Sequence, residues 1–309
     1  MDTVVDWLLD SDPAIRWQVL RDLADAPPDV VAVERARIGA VGFGARLLSL
    51  QTAEGQWGNG TYFPLWTSTS WTLMLLRDFG LLPASPEARQ ALVRVRQSSR
   101  WDHAQEPFFE GETEPCVNGM AVAIGAYFGE DVRSIVDRLL DEQMMDGGWN
   151  CEQENGSTRG SFHSTIDVLE GLLEYRHASG ADAALTRAER AGQAFLLDRQ
   201  MLRRLSTGEV IDPQWTRFSY PPRYLYDVLR GLDYLRASGV KPDERVHEAI
   251  GLVRQKRTAE GVWLLDNEHA GEVHFPVDEG VGKPSRWNTL RALRVLRWYE
   301  GEGLQHEPA

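Results

Sequence analysis

The sequence predicts one all-α domain in which pairs of helices are arranged around a ring. Strand signals are almost absent, apolar residues recur at helical spacing, and a turn that contains Gly and Trp returns along the chain. Hydrophobic residues make up 42% of the 309 positions and charged residues 26%, which is typical of a globular chain. We therefore expect most of the chain to be folded.

Helical spacing is clearest in the segment 130–144, where Val132, Ile135, Val136 and Leu139 fall on one face. The same spacing of apolar residues recurs in two further segments, 168–173 and 246–253. Proline residues at helix starts and glycines at helix ends separate such segments. This pattern indicates short helices that follow one another throughout the chain.

A polar residue, an acidic-Gly turn and a tryptophan close three of the amphipathic segments. The three segments read Gln51-Thr-Ala-Glu-Gly-Gln-Trp57, Gln143-Met-Met-Asp-Gly-Gly-Trp149 and Arg257-Thr-Ala-Glu-Gly-Val-Trp263. With Trp101 and Trp215 included, the loop tryptophans follow one another at steps of 44, 48, 66 and 48 residues. A period in the forties indicates repeated helix pairs, which must stack on their neighbours to bury their apolar faces.

The repeats predict six inner and five outer helices. The inner helices are expected near 13–24, 65–79, 115–128, 162–177, 221–237 and 285–299, and the outer helices near 33–51, 84–97, 131–145, 183–201 and 243–257. The loops 52–64, 98–114, 146–160, 202–219 and 258–283 are expected at one end of the ring. The chain 1–309 is predicted to be a single domain, with 301–309 as a flexible tail.

Small residues are frequent in the predicted inner helix 115–128. Its segment 117–126 reads Val-Asn-Gly-Met-Ala-Val-Ala-Ile-Gly-Ala, which permits a close approach of packed helices.

Charge and the N-terminus limit the classes of partner. Lys and Arg number 33 against 46 Asp and Glu, a net charge of -13, and no dense basic run offers a surface for nucleic acid. The N-terminus is acidic, and no apolar run approaches the roughly 20 residues of a membrane span. With only two cysteines, the chain is expected in the cytoplasm without a transmembrane segment. The oligomeric state is left open.

The Gln-x-x-x-Gly-x-Trp segments resemble the repeat of the squalene–hopene cyclase and protein prenyltransferase β-subunit superfamily. The resemblance spans most of the chain and implies an α/α toroid of about six inner and five to six outer helices. In those families the Gln and Trp tie adjacent repeats together, which implies a structural role for Trp57, Trp149 and Trp263. It also implies a terpenoid cyclase-like or prenyltransferase-like protein that acts on a hydrophobic or prenyl-like small molecule in the ring cavity.

The acidic motifs of the terpene cyclases are missing. No Asp-x-Asp-Asp tetrad occurs, and Asp6, Asp10 and Asp12 are expected to be solvated or to cap a helix. The Asp-rich magnesium motif is missing too. A cyclase with a displaced general acid, such as Glu114 or Asp146, would need a carboxyl group with a raised pKa inside the cavity.

The prenyltransferase branch fits at one place, because its β-subunits hold zinc with an Asp-x-Cys at the start of one inner helix and a His at the start of a later one. Glu114-Pro115-Cys116 begins the predicted helix 115–128, and His163 begins the next inner helix. Together with Cys151 these residues imply a catalytic zinc site at Cys116, Cys151 and His163, with Glu114 or His103 as a possible fourth ligand.

The competing interpretation is that both cysteines are small buried side chains and that His163 bonds to the backbone. The protein would then be a non-catalytic binding module for an apolar ligand. A serine triad of Ser161 or Ser164 with His163 and Asp167 is set aside, because no nucleophile elbow accompanies these neighbours.

Aromatic and basic residues near the same end predict the binding pocket. The predicted substrate-binding residues are Trp66, Trp71, Phe109, Trp215, Tyr220, Tyr224, Arg223 and Trp287. Arg217, Arg223 and Arg286 could bind a phosphate or carboxylate, or could equally be solvated or ion-paired arginines.

Overall fold

The structure is a computed structural model that describes residues 3–102 and 105–303, and it confirms the all-α class. Thirteen α-helices and no strand occur in these residues. The helices are α1 (Thr3–Leu9), α2 (Pro13–Asp22), α3 (Pro28–Ala36), α4 (Gly42–Ser49), α5 (Thr69–Phe79), α6 (Pro86–Ser98), α7 (Pro115–Phe128), α8 (Arg133–Asp141), α9 (Phe162–Ser179), α10 (Ala183–Asp198), α11 (Val228–Ser238), α12 (His247–Gln255) and α13 (Arg286–Gly303). None of them is long and apolar enough to cross a membrane.

The six predicted inner helices contact one another in a closed order. Contacts join α5 to α7, α7 to α9, α9 to α11, α11 to α13 and α13 to α2. The indole N–H of Trp17 in α2 donates to the carbonyl of Phe79 in α5 at 2.7 Å, which links the remaining pair. This order of neighbours favours the predicted toroid, which stays a prediction.

Two predicted helices differ from the observed ones. The outer helix expected at 33–51 is two helices, α3 and α4, because Gly42 adopts a φ of 76° and interrupts the chain between them. The inner helix expected from 221 begins only at Val228, where the Asp227 carboxylate caps α11 by accepting from the Arg230 N–H at 2.8 Å.

Asp12 has the capping role that the sequence allowed for it. Its carboxylate accepts hydrogen bonds from the backbone N–H of Ala14 at 2.9 Å and of Phe43 at 2.8 Å. One side chain thereby caps α2 and holds the start of α4 against it.

The three repeated turns are held by the same hydrogen bonds. The indole N–H of Trp57, Trp149 and Trp263 donates to the carbonyl ten residues earlier, at the end of the preceding outer helix, at 2.7 Å in each case. The backbone N–H of each tryptophan donates to a threonine in the first turn of the next inner helix. The threonines are Thr69, Thr165 and Thr289.

The glutamines of the first two turns extend this network to the following outer helix. The Gln51 amide donates to the carbonyls of Gly55 and Ala91, and the Gln143 amide donates to those of Gly147 and Ala188. At each of these two turns, a buried tryptophan and a glutamine thus join three successive helices.

Helices α7 and α9 pack closely because glycines face each other at their contact. A Cβ atom at Gly119 would lie 2.6 Å from the Asp167 carbonyl, and one at Gly171 would lie 2.3 Å from the Gly119 carbonyl. Real Cβ atoms do not approach so closely, so only glycine fits at these positions. The contact brings the N-terminal turns of both helices together, as the small residues of 117–126 predicted.

Replacing Thr165 by Val should destabilise the fold. The variant keeps the β-branched shape but leaves the buried Trp149 N–H without its acceptor, which costs about 1–3 kcal/mol of the free energy of unfolding. Urea unfolding measures the change. Thr186→Val, at a solvent-accessible position of α10, is the matched control and should change stability by less than about 0.5 kcal/mol. Equal effects of the two substitutions would contradict the role given to the threonine.

Candidate active site

A cavity of about 660 Å³, here called the mouth, opens at the N-terminal ends of α7 and α9. Carboxyl groups dominate its polar lining, and no lysine or arginine of the described chain lines it. The carboxyl groups belong to Asp102, Glu112, Glu114, Glu152, Glu154 and Asp167. Tyr62, Phe63 and Trp101 give the mouth an apolar side.

Both cysteines lie at the mouth and are joined by a disulfide. Cys116 is in the first turn of α7, and Cys151 begins a short 3-10 helix directly after the Asp-Gly-Gly-Trp turn. The backbone N–H of Cys151 donates to the Ser164 hydroxyl at 3.2 Å, which anchors that short helix to α9. The disulfide thus links the starts of two neighbouring repeats.

His163 lines the mouth too, but its ring is tied to another part of the chain. Its Nδ1 accepts a hydrogen bond from the backbone N–H of Tyr226 at 2.8 Å. Burial, with a smaller contribution from Arg230, holds the pKa of His163 below its ordinary value. The neutral ring therefore carries its proton on Nε2, because the Nδ1 lone pair is already used.

The predicted zinc ligands do not fit a zinc ion in this arrangement. Disulfide sulfurs are not thiolates, and His163 has no free lone pair to offer. In the described chain the ligand-type atoms that do come within 4.8 Å of one another belong to Glu114, Cys116 and Cys151. His103 lies outside the described residues. Zinc stays a prediction that requires reduced thiols.

Asp167 is a buried carboxyl group between the mouth and the interior. It lies one turn after His163 on α9, and only 7% of its surface is exposed. Its Oδ1 accepts from Arg230 at 2.6 Å, whereas its buried Oδ2 has no hydrogen-bond partner in the described chain. A buried carboxylate oxygen without a donor is unfavourable, so this geometry favours a protonated Asp167.

Glu170 and Asp167 share one cation, Arg230. The guanidinium group of Arg230 forms two hydrogen bonds with Glu170, at 2.9 and 2.7 Å, and one with Asp167. Burial raises the pKa of Asp167 to about 7 against the attraction of Arg230, and the charge of Glu170 adds to the rise. Burial would also raise the pKa of Glu170, but Arg230 holds it below its ordinary value. The environment therefore separates an ionised Glu170 from a proton-bearing Asp167.

A small void of about 10 Å³, here called the throat, is lined by Asp167 and Tyr224, which also line the mouth, and by Trp71 and Arg223. Aromatic rings stand around it. The Trp66 and Trp71 centroids are 4.9 Å apart, and Tyr224 lies 5.7 Å from Trp66. The Arg223 guanidinium lies over the Trp66 ring at 4.9 Å. The throat therefore lies among aromatic rings and beside the Asp167 carboxyl group.

Beyond the throat lies a central cavity of about 430 Å³ between the second halves of α2, α5, α9 and α11 and the first half of α13. Trp71 and Arg223 line both the throat and this cavity. Tyr220 and Trp287 also line it, with their rings stacked at 4.2 Å.

The structure places the other predicted residues elsewhere. Phe109 packs on Phe108, and Trp215 packs on Phe162, so both belong to the core outside these cavities. Arg217 donates to the Asp266 carbonyl at 2.7 Å. Arg286 donates to the backbone of α1 and its end.

The two carboxyl groups suggested as a displaced acid are not buried in the throat. Glu114 is exposed at the rim of the mouth. Asp146 accepts from the N–H groups of Gly148 and Gly160 and from Arg199 at 3.1 Å, so it holds a turn.

Sequence reasoning considered Asp167 only as part of a serine triad and missed its burial. The available signal was a pair of carboxyl groups, Asp167 and Glu170, three residues apart among the apolar residues 166–173 of an inner helix. Arg230, at a comparable place in the next inner helix, could have identified their partner.

Comparisons with protein-family models, with curated proteins and with solved structures found no match for this chain.

The Asp167 carboxyl group should titrate near pH 7. Carbon-13 NMR of labelled aspartate carboxyls, compared with the Asp167→Asn variant, identifies its signal. Because the folded protein keeps a proton that the unfolded chain releases near pH 3.8, stability should fall as the pH rises from about 4 to about 7, and the variant should lack this slope. A signal that titrates at pH 4 or below would contradict the assignment.

Proposed function

We propose that the protein is an enzyme that protonates an unsaturated, largely apolar small molecule, with Asp167 as the proton donor. The observation that carries the proposal is the buried Oδ2 of Asp167, which has no partner in the described chain and lines the throat. A proton on Oδ2 has no acceptor in the described chain, so a substrate that enters the throat, with some movement of the side chains around it, could receive this proton.

Arg230 supports this role by stabilising the state left after proton transfer. When Asp167 gives up its proton, the resulting carboxylate already has a hydrogen bond from Arg230 at 2.6 Å. A preorganised donor of this kind lowers the free energy of the charged product without further rearrangement. Solvent at the mouth can restore the proton.

The aromatic lining of the throat favours a substrate that becomes positively charged. The π electrons of an alkene form a new C–H bond with the Asp167 proton, and the neighbouring carbon is left as a cation. Faces of Trp71 and Tyr224 at the throat can stabilise a cation by several tenths to about 2 kcal/mol each. Loss of a proton from an adjacent carbon, or capture of water, then restores a neutral product.

The resemblance to the terpenoid cyclases and prenyltransferases supports a hydrophobic or prenyl-like substrate. It rests on the Gln-x-x-x-Gly-x-Trp segments and on the closed order of inner helices. Asp167 would then be the displaced general acid that a cyclase without the Asp-x-Asp-Asp motif requires. A cytoplasmic location is part of the proposal, although the disulfide is more typical of oxidising compartments.

Proton transfer can be tested with linear polyprenes and polyprenols in D₂O. We expect a product that carries one deuterium on the protonated carbon, detected by mass spectrometry. Asp167→Asn should lower the rate by about 10²–10⁴-fold, the usual contribution of a general acid. The rate should also fall above about pH 7 in the native enzyme, because the donor loses its proton there.

Asp137→Asn is the matched control, because Asp137 is exposed on α8 and pairs with Arg133 at the surface. The Asp137→Asn variant should convert the substrate at the native rate. Deuterium incorporation that survives in Asp167→Asn would rule out this donor. Tight binding of the same polyprenes without any incorporation would favour the non-catalytic binding module.

Metal binding by the reduced protein is a second candidate. The Glu114 carboxylate lies 3.5 Å from Cys116 Sγ, and both come within 4.8 Å of Cys151. Two thiolates and a carboxylate are ligands that zinc accepts, with a fourth position for water or substrate. Zinc there would act as a Lewis acid.

Elemental analysis of protein prepared with reductant tests this second candidate. We expect about one zinc per chain in the reduced protein, as for a single three-ligand site. Cys116→Ala should abolish zinc binding. His163→Ala should keep it, because His163 Nδ1 already accepts a hydrogen bond from the Tyr226 N–H and is not a ligand. Absence of zinc in the fully reduced protein would exclude the site.

A further inference from the structure

The central cavity is lined by an unusual number of arginines. Eight of them face four carboxyl groups across about 430 Å³. The arginines are Arg21, Arg35, Arg77, Arg223, Arg230, Arg236, Arg291 and Arg294, and the carboxyl groups are Asp78, Glu170, Glu174 and Asp233.

Most of these charges are already compensated. Asp233 bonds to Arg236 at 2.9 Å and also to Arg294, and Glu170 pairs with Arg230. Carboxyl groups behind the cavity wall pair with further lining arginines. These are Asp22, Asp167 and Asp227. Several of the lining arginines therefore already have counterions, and their number does not by itself indicate a ligand.

Three hydrogen-bond donors at the cavity remain without an acceptor in the described chain. Nη1 of Arg77 and the hydroxyl group of Tyr220 are both buried and have no partner. The Arg223 side chain contacts the Trp66 ring, but no hydrogen bond or ion pair joins it to a described residue. It is nonetheless only 9% exposed.

The three side chains line the cavity together with Asp78. Its carboxylate pairs with Arg77 at 2.7 Å and acts electrostatically on Tyr220 and Arg223. Arg77 has Asp78 as a counterion, whereas no ion pair joins Arg223 to a described residue. Burial lowers the pKa of Arg223 to about 10, as expected for a cation held away from water without a counterion.

We propose that the central cavity binds a small-molecule oxyanion, a phosphate or a carboxylate, that accepts hydrogen bonds from Arg77, Tyr220 and Arg223. Such an oxyanion offers several acceptors at once and supplies the counterion that Arg223 lacks. Buried donors that lack an acceptor are costly, and an anionic ligand removes that cost for all three.

Glu174 opposes the anion and sharpens the test. It lines the same cavity and acts electrostatically on Arg77, and burial raises its pKa. When ionised it repels an oxyanion, so replacing it with a neutral residue of the same shape should strengthen binding. A nonspecific surface effect would not give opposite results for Arg223 and Glu174.

Calorimetric titration of the full chain at low ionic strength provides the test, with pyrophosphate, inorganic phosphate and citrate as probes. We expect saturable binding of at least one probe. Arg223→Gln should weaken it about tenfold, because a charge-assisted hydrogen bond is lost, and Tyr220→Phe should weaken it less. Glu174→Gln should strengthen it. Tighter binding of pyrophosphate or of citrate assigns the ligand as a phosphate or a carboxylate.

Arg96→Gln is the matched control, because Arg96 pairs with Glu130 at the surface and should leave binding unchanged. Tyr220→Phe keeps the ring stacked on Trp287, so it stays informative if Arg223→Gln fails to fold. No binding of any probe, or binding that neither variant weakens, would overturn the proposal.

Discussion

The tryptophan at each repeated turn is the contact on which the order of the helices depends. Its indole N–H donates to a carbonyl near the end of an outer helix, and its backbone N–H donates to a threonine of the next inner helix. Both bonds are buried, so the turn cannot open without leaving polar groups unpaired. Three such turns, at Trp57, Trp149 and Trp263, fix where the inner helices begin.

The turn at Trp149 also positions the site. Cys151 and its short helix follow that turn directly. The Trp149 N–H donates to Thr165, which stands two residues before Asp167 on α9. Close packing at Gly119 and Gly171 then leaves Asp167 in a space that water barely reaches. Burial raises the pKa of Asp167 there, whereas Arg230, which bonds to both carboxyl groups, holds the pKa of Glu170 below its ordinary value.

The zinc prediction shows how far spacing alone can reach. Placing Cys116 and Cys151 at the starts of adjacent repeats correctly brought the two sulfurs together. Sequence spacing could not reveal that the sulfurs bond to each other, nor that the ring of His163 accepts from Tyr226, which is distant in sequence. Ligand roles depend on which lone pairs are free, and that is a property of contacts between distant segments.

The sequence by itself determined the all-α class, most helix positions, the capping residue Asp12 and the structural tryptophans, because these follow from periodicity and from contacts within a repeat. Only the tertiary structure decided which carboxyl group is buried and which donors lack an acceptor. Asp167, Arg77 and Arg223 are ordinary polar residues in the sequence. Their chemistry arises from low exposure and from partners on other helices, and neither is encoded in local spacing.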